Sequence, residues 1–456
     1  MALCIVQVLG QGTMILGVLA AFLLLMAWSS SQNATMPVLL FFLPWSLLLR
    51  TGKEAFSFYT FGMVLVCAVS LVKTGFRFKR YALITGILLL LTTLVTKLLG
   101  GSPLTFAYIA FLMMIMLFPV VKEEWTAGRY DYYQLALFFS LGVISAALAA
   151  QFLAGYRNIA EYIRVDNYST ITRLCGFYGD PNFYTAQITA ALSGCLVLIL
   201  KEQSKGRSAL LIALALLLIY CGLLSGSKSF VLVFALMALI WFIELLWMKG
   251  KVGLKVLVLI LVIAAVIYIA TSTLLGGLIK VLVTRFSNAE NFSDFTTGRT
   301  ELWEIYLRRL LTDGKLLVLG QGFSNIKLEN KASHNSLIQA VYQFGLVGVP
   351  LLLIWIGNFF RDLPERRRDV PQTRNIWLLL IGCFLPWAAI DILFFDEFFL
   401  LQMFVFLGIR HLRTMELPKP KHPPGRAPDP VPPEAPQDAN APWNQVPDDL
   451  EFHMPE

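Results

Sequence analysis

The chain has 456 residues and a formal net charge of +8, with 57% hydrophobic and only 14% charged residues. Soluble domains carry about 25% charged residues, and that charged surface is what keeps them dispersed in water. The composition excludes a soluble globular enzyme and implies a surface that faces lipid.

The predicted elements are apolar runs. A helix needs about 18–20 apolar residues to cross a bilayer. Runs of that order recur at 10–28, 56–72, 81–99, 104–121, 133–153, 183–200, 208–224, 230–248, 254–276, 336–357, 375–395 and 398–410. The run 36–49 is shorter and fits a tilted span, a re-entrant piece or half of a hairpin with its neighbour. The expected fold is an all-α integral membrane protein with about 12 (12–13) transmembrane helices. Barrel strands alternate in polarity over about 10 residues, and Ala209–Leu224 shows no alternation. Met1–Gln11 lacks the basic region of a cleaved signal, so the first run reads as a span. The cysteines Cys4, Cys67, Cys175, Cys195, Cys221 and Cys383 form no C-x-x-C pair and read as small packing residues.

Basic clusters at Lys73–Arg80, Lys201–Arg207, Lys249–Lys255, Arg361–Arg374 and Arg410–Arg413 occupy alternate loops. The positive-inside rule assigns those loops to the cytoplasm. Segments 154–182, 225–229, 277–333 and 396–397 then face outward, while Arg50 and Lys53 leave the orientation of the first spans open. The membrane region covers 1–413. Residues 414–456 hold 12 of the 21 prolines and eight acidic residues against three basic ones. Such a Pro-rich acidic tail cannot bury a core and is expected to be extended and disordered in the cytoplasm. It is either a solvated end or a docking segment for a cytoplasmic partner.

The outer segments concentrate the polar chemistry. Segment 277–333 carries Lys280, Arg285, Arg299, Arg308, Arg309, Lys315, Lys327 and Lys331 against six acids. Within it Leu302, Ile305, Tyr306, the stem of Arg309 and Leu310 give Thr300–Leu311 an amphipathic pattern, with Trp303 and Tyr306 suited to a membrane interface. Gly314, Gly320 and Gly322 then introduce turns. Ser333-His334-Asn335-Ser336 precedes a helix, and His334 is the one histidine outside the inner end and tail. Gly345 and Gly348, 11 and 14 residues further on, would share its helix face at about 100° per residue, as a helix-packing motif. An interfacial histidine wetted by headgroups is the alternative. In segment 154–182, Arg157, Arg164 and Arg173 precede Gly179-Asp180-Pro181-Asn182, where Asp180 or Asn182 could cap the next helix. In Ser225-Gly226-Ser227-Lys228-Ser229, Lys228 at a helix start could hold an anion or only snorkel. Asp396-Glu397, between the last two spans, reads first as a solvated turn and otherwise as a pair that assists the outer chemistry.

Together these motifs resemble those of the O-antigen ligase and polymerase superfamily, over roughly 130–410. His334-Asn335 followed by Gly345-x-x-Gly348 resembles its histidine motif. Gly298-Arg299 with Leu302-Trp303 resembles its arginine element, and Gly320-Gln321-Gly322 the turn between them. Arg173-x-x-Gly176 and Asp180-Pro181-Asn182 resemble an earlier signature, and Ser227-Lys228 stands where Ser-Arg is usual.

The resemblance implies a membrane glycosyltransferase on the outer face of a bacterial inner (plasma) membrane. It would transfer or polymerise a glycan from an undecaprenyl-diphosphate-linked donor onto a hydroxyl of an acceptor glycan or glycolipid, among membrane lipids. Neither cofactor nor metal nor nucleic acid is implied. Arg299 and Lys228 would hold the diphosphate, since arginine's planar fork bonds two oxygens at once; Lys228 keeps the charge without the fork. His334 would serve the acceptor hydroxyl or the leaving group, with Asn335 beside it. Arg173, Asp180 and Asn182 would shape the donor site. The rival reading is a flippase or transporter of lipid-linked oligosaccharide. The topology predicts that, in intact cells, a cysteine at Ser293 reacts with an impermeant thiol reagent while one at Ala435 does not; equal accessibility would refute it.

Overall fold

In a computed structural model of the chain, the described residues are 1, 4–5, 15–31, 34–49, 57–99, 105–127, 130–156, 163–165, 172–202, 204–247, 298–322, 328, 332–364 and 373–414, with short pieces between 253 and 296. The chain divides into two units, Met1–Thr414 and Met415–Glu456. The tail read over 414–456 therefore lies, beyond Thr414, outside the described residues, as does most of the run 254–276.

The described helices are α1 (Ile15–Ser31), α2 (Thr35–Phe42), α3 (Phe58–Lys73), α4 (Arg80–Leu98), α5 (Phe106–Ala127), α6 (Tyr132–Tyr156), α7 (Pro181–Lys201), α8 (Lys205–Leu224), α9 (Lys228–Trp247), α10 (Arg299–Thr312), α11 (Gly314–Leu319), α12 (Ser336–Arg361), α13 (Thr373–Phe384) and α14 (Glu397–Thr414). Tight 3-10 turns, Leu43–Leu48 and Leu385–Ala389, extend α2 and α13. Seven helices, α4 to α9 and α12, are long and apolar enough to cross a membrane; Ile15–Ser30, Thr35–Leu48, Phe58–Lys73 and Asn375–Ala389 are shorter apolar pieces. A two-stranded ribbon departs from the all-helical expectation: β1 (Ile163–Val165) pairs antiparallel with β2 (Thr172–Leu174), Arg164 opposite Arg173.

Helix α7 is the centre of the bundle. Of its apolar window, 94% is buried, against 28% for α9. Small residues let neighbours approach it: Gly194 lies against Phe404 and Ala136, and Ser193 and the Thr189 carbonyl lie against Gly382 of α13. Thr189 also donates to the Gly382 carbonyl at 2.8 Å, as a polar group does when no water can serve it. Near the other end, buried Lys122 of α5 donates to the Phe359 carbonyl (2.5 Å) and Asp362 (2.9 Å), with its ammonium 4.4 Å from the Phe406 ring centre. One buried cation thus ties α5, α12 and α14 together.

Helix α12 is not the continuous rod that the run 336–357 suggests. Gly345 sits at φ 63°, ψ −176°, breaking the helix. A break frees carbonyls one turn earlier, and the Gly-x-Gly segment takes them. Gln321 N–H donates to the Tyr342 carbonyl at 2.8 Å and Gly322 N–H to that of Gln343 at 3.1 Å. The two backbones touch, so a Cβ at Gly320 would lie 2.7 Å from Gly345 N, and one at Gly345 would lie 2.6 Å from the Leu319 carbonyl carbon. The shared helix face of His334, Gly345 and Gly348 does not form, because His334 precedes α12 and Gly345 interrupts it. Gly348 does face a neighbour, with Leu89 of α4 3.4 Å from its absent Cβ.

Gly345→Ala combines a left-handed φ, costing about 1–2 kcal/mol, with a backbone collision, so thermal unfolding of the purified protein should fall by several degrees. Gly357→Ala, which meets nothing within 4 Å, should leave it unchanged or slightly raised. Equal behaviour of the two variants would refute the seam.

Candidate functional site

The residues Ser333-His334-Asn335 turn the chain into α12. His334 has φ 50°, a left-handed conformation uncommon for a side chain larger than glycine. Such strain persists only where the surroundings over-determine it, and here one carboxylate does so. Asp391, 8% exposed, accepts from the His334 N–H at 2.9 Å, the Asn335 N–H at 3.1 Å and the Ser333 hydroxyl. Asn335 caps α12 by accepting from the Leu337 N–H (3.0 Å) and Ile338 N–H (3.3 Å). A carboxylate at a helix N-terminus is further favoured by the helix dipole. Ser336 donates to the Ile390 carbonyl at 2.6 Å and accepts from Ile392 N–H at 3.1 Å. Backbone and neighbours are thus fixed, while the imidazole Nδ1 of His334 is buried with no hydrogen-bond partner.

The expected amphipathic helix is present as α10, but its apolar face packs on protein. Leu302, Tyr306 and Leu310 are buried with Leu316 and Tyr342, each leucine contributing about 1.5–3 kcal/mol on full burial. Tyr306 meets Tyr342 edge-on at 4.9 Å and accepts from Leu328 N–H at 3.3 Å. Burial pushes its phenol up to about 12, so it remains neutral. The interfacial roles given to Trp303 and Tyr306 are replaced by these contacts: Trp303 donates its indole N–H to the Ser333 carbonyl at 3.0 Å. Half-buried Arg299 begins α10. It precedes Trp303 by one turn on the same face, at about 40° for a four-residue step. The arginine element and the histidine turn are joined by that bond.

A second cluster gathers the earlier motifs. Asp180 caps α7, accepting from the Asn182 N–H at 2.7 Å and from its side-chain amide at 2.9 Å. The Asn182 side-chain oxygen accepts from Ser227 (2.9 Å) and Ser229 (3.1 Å) at the start of α9. Arg173 donates to the Ser225 carbonyl at 2.9 Å and that of Gly226 at 3.2 Å, fixing a turn in which Gly226 has φ 57°. Lys228 is half-buried, its ammonium 5.5 Å from the Phe286 ring centre. Arg173, Asp180 and Asn182 therefore build the turn that presents Lys228 at a helix N-terminus.

The connection 390–397 links the clusters. Asp391 holds the histidine turn, and Phe395 packs on Phe183, beside Asn182, at 5.1 Å. Asp396 and Glu397 are not a solvated turn: they are 8% and 3% exposed. Asp396 accepts from Thr60 at 2.9 Å, and Glu397 from Tyr178 (2.7 Å) and the Gln187 amide (2.8 Å). Burial and the Glu397 charge drive the Tyr178 phenol far above its ordinary range, keeping it a donor. Asp391, Tyr178 and Gln187 were not singled out as site residues from sequence, and Glu397 only as half of a pair that could assist. The available signal was acidic residues inside or beside apolar runs, which mark functional positions in membrane helices.

Among the described residues no group of three His, Cys, Asp or Glu comes together as a metal site. A groove of about 440 Å³ runs along α10, past Thr300, Trp303, Leu307 and Leu311. No protein-family model matches the chain, and no curated protein matches it.

Asp391→Asn removes one acceptor oxygen and the charge. Hydrogen bonds to charged groups contribute about 1.5–3 kcal/mol, so the amides of His334 and Asn335 should exchange hydrogen at least tenfold faster, read by mass spectrometry. Unchanged protection would mean that Asp391 does not hold the turn.

Proposed function

We propose that this protein is a membrane glycosyltransferase that moves a glycan from an undecaprenyl-diphosphate donor to an acceptor hydroxyl, as an O-antigen ligase or a polysaccharide polymerase. The observation that carries the reading is His334: its backbone is clamped in a strained conformation by Asp391, while its Nδ1 is left without a partner. In this reading the membrane region has twelve or thirteen spans, and the two clusters face the outer side of a bacterial inner membrane.

The chemistry follows from the side chains. The acceptor oxygen attacks the anomeric carbon, the bond from that carbon to the diphosphate oxygen breaks, and the diphosphate leaves with the electron pair. Histidine exchanges protons near neutral pH, so His334 takes the hydroxyl proton or orients the hydroxyl. Arg299 and Lys228 neutralise charge as it develops on the leaving diphosphate. Arg173 and Asn182 act at one remove, holding the 225–229 turn. The donor carries its own activated leaving group, so the reaction is written without metal or cofactor.

The buried carboxylates Asp391 and Asp396 in a non-helical connection, with Glu397 at the start of α14, favour a second reading, a flippase or transporter of the same lipid, because broken helices and intramembrane acids are the usual equipment of transporters. One assay separates them. With purified protein, lipid-linked glycan and acceptor in detergent, an enzyme forms product and a flippase forms none. His334→Ala should lower the transfer rate by about 100-fold or more, the scale of lost general acid–base catalysis. Arg299→Lys should keep part of the donor binding and lose rate. Transfer by His334→Ala at the wild-type rate would overturn the assignment.

A further inference from the structure

The polar group around Glu397 holds one acceptor that its own donors do not serve. Glu397 Oε1 accepts from the Tyr178 hydroxyl at 2.7 Å and from Gln187 Nε2 at 2.8 Å. Tyr178 has a single proton yet faces two acceptors, since the Leu43 carbonyl lies 3.2 Å from the same oxygen. Gln187 also donates to the Tyr178 oxygen. The remaining atom of that amide, Gln187 Oε1, is buried on a side chain 1% exposed and has no partner. Leaving a buried polar atom unserved costs about 1–3 kcal/mol.

A second arrangement gives the Gln187 oxygen donors of its own and needs one more proton. Glu397 takes up that proton from water at the outer face and becomes a carboxylic acid. The Gln187 amide turns over, exchanging its oxygen and nitrogen, and its oxygen accepts the new O–H. The Tyr178 proton then turns from Glu397 to the Gln187 oxygen. We propose that Glu397 is a reversible proton-binding site, with the Gln187 amide and the Tyr178 hydroxyl switching acceptors as the proton comes and goes.

Ser46, in the 3-10 turn after α2, also bonds the Tyr178 hydroxyl. Just before α14, the neighbour of Glu397 is Asp396, whose carboxylate accepts from Thr60 of α3 at 2.9 Å. Also on α3, Tyr59 lies within electrostatic reach of both acids and donates to the Leu39 carbonyl at 2.6 Å. Helix α7 contributes Gln187, the turn before it Tyr178, and the 3-10 turn after α2 the Leu43 carbonyl. Two adjacent acids that both face α3 repel one another when ionised, and the protonated state of Glu397 relieves that repulsion.

Infrared difference spectroscopy of the purified full-length protein, titrated with pH in lipid nanodiscs, reads this site directly. A protonated-carboxyl band should grow as pH falls and be absent in Glu397→Gln. Tyr178 donates to the carboxylate only in its ionised form, so Tyr178→Phe destabilises that form and should move the midpoint up by about one pH unit. A wild-type protein with no such band, or a band unchanged in Glu397→Gln, would overturn the proposal. If Glu397→Gln does not assemble, Tyr178→Phe decides, and an unmoved midpoint counts against the site. The measurement needs neither donor nor acceptor glycan, so its failure leaves the glycan-transfer reading standing.

Discussion

Three carboxylates buried where the chain passes from α13 into α14 set the terms for one end of this molecule. A buried charge costs several kcal/mol unless hydrogen bonds replace its water. Asp391, Asp396 and Glu397 meet that requirement with donors drawn from distant parts of the chain: Ser333, His334 and Asn335, Thr60, and Tyr178 with Gln187. Each acid therefore draws a different segment to one place. The histidine turn, the start of α12, the turn before α7 and the N-terminal end of α3 are held together by the need to keep three charges solvated.

The break in α12 serves the same end of the molecule. An unbroken helix would keep its carbonyls for itself. Interrupted at Gly345, it offers the carbonyls of Tyr342 and Gln343 to the Gly320–Gly322 segment. That bond pair returns the chain after α10 and α11 to the flank of α12. Trp303 can then reach the Ser333 carbonyl. Two glycines are required because the backbones approach too closely for any Cβ, on either side of the seam. The arginine element is thus placed by main-chain geometry.

How much of this could be read from sequence depends on the range of the interaction. Apolar runs report removal from water locally, so α4 to α9 and α12 were legible to within six residues at each end. The amphipathic pattern of 300–311 gave α10 and its buried face, because Leu302, Tyr306 and Leu310 repeat with helical spacing. What covers that face was not legible, since a helix that lies on lipid and one that lies on Tyr342 have the same pattern. The cap at Asp180 followed from Asp-Pro-Asn, a signal within one turn. Asp391 was missed, and Glu397 read first as solvated, because their partners are 56 to 58 and 210 to 219 residues away in the chain. No spacing rule reaches that far. The grouping of His334, Gly345 and Gly348 failed for a different reason: a period of 3.6 residues was extended across a glycine whose φ is not helical.

The arrangement also divides the charged residues by sign. An anionic substrate such as a lipid diphosphate would be repelled by carboxylates open to the same cavity, and the repulsion would grow in a medium of low dielectric. Here the three acids of 390–397 are 8%, 8% and 3% exposed, their oxygens turned to protein donors. The cations of the two clusters behave otherwise. Arg299 and Lys228 stand half-buried at the first turns of α10 and α9, where backbone N–H groups add positive potential. Arg173 is committed to carbonyl oxygens and so lends rigidity to that turn. Acids that organise the backbone and cations carried at helix starts are the two halves of one electrostatic design. It raises the potential where an anion would dock without leaving a bare charge in the core.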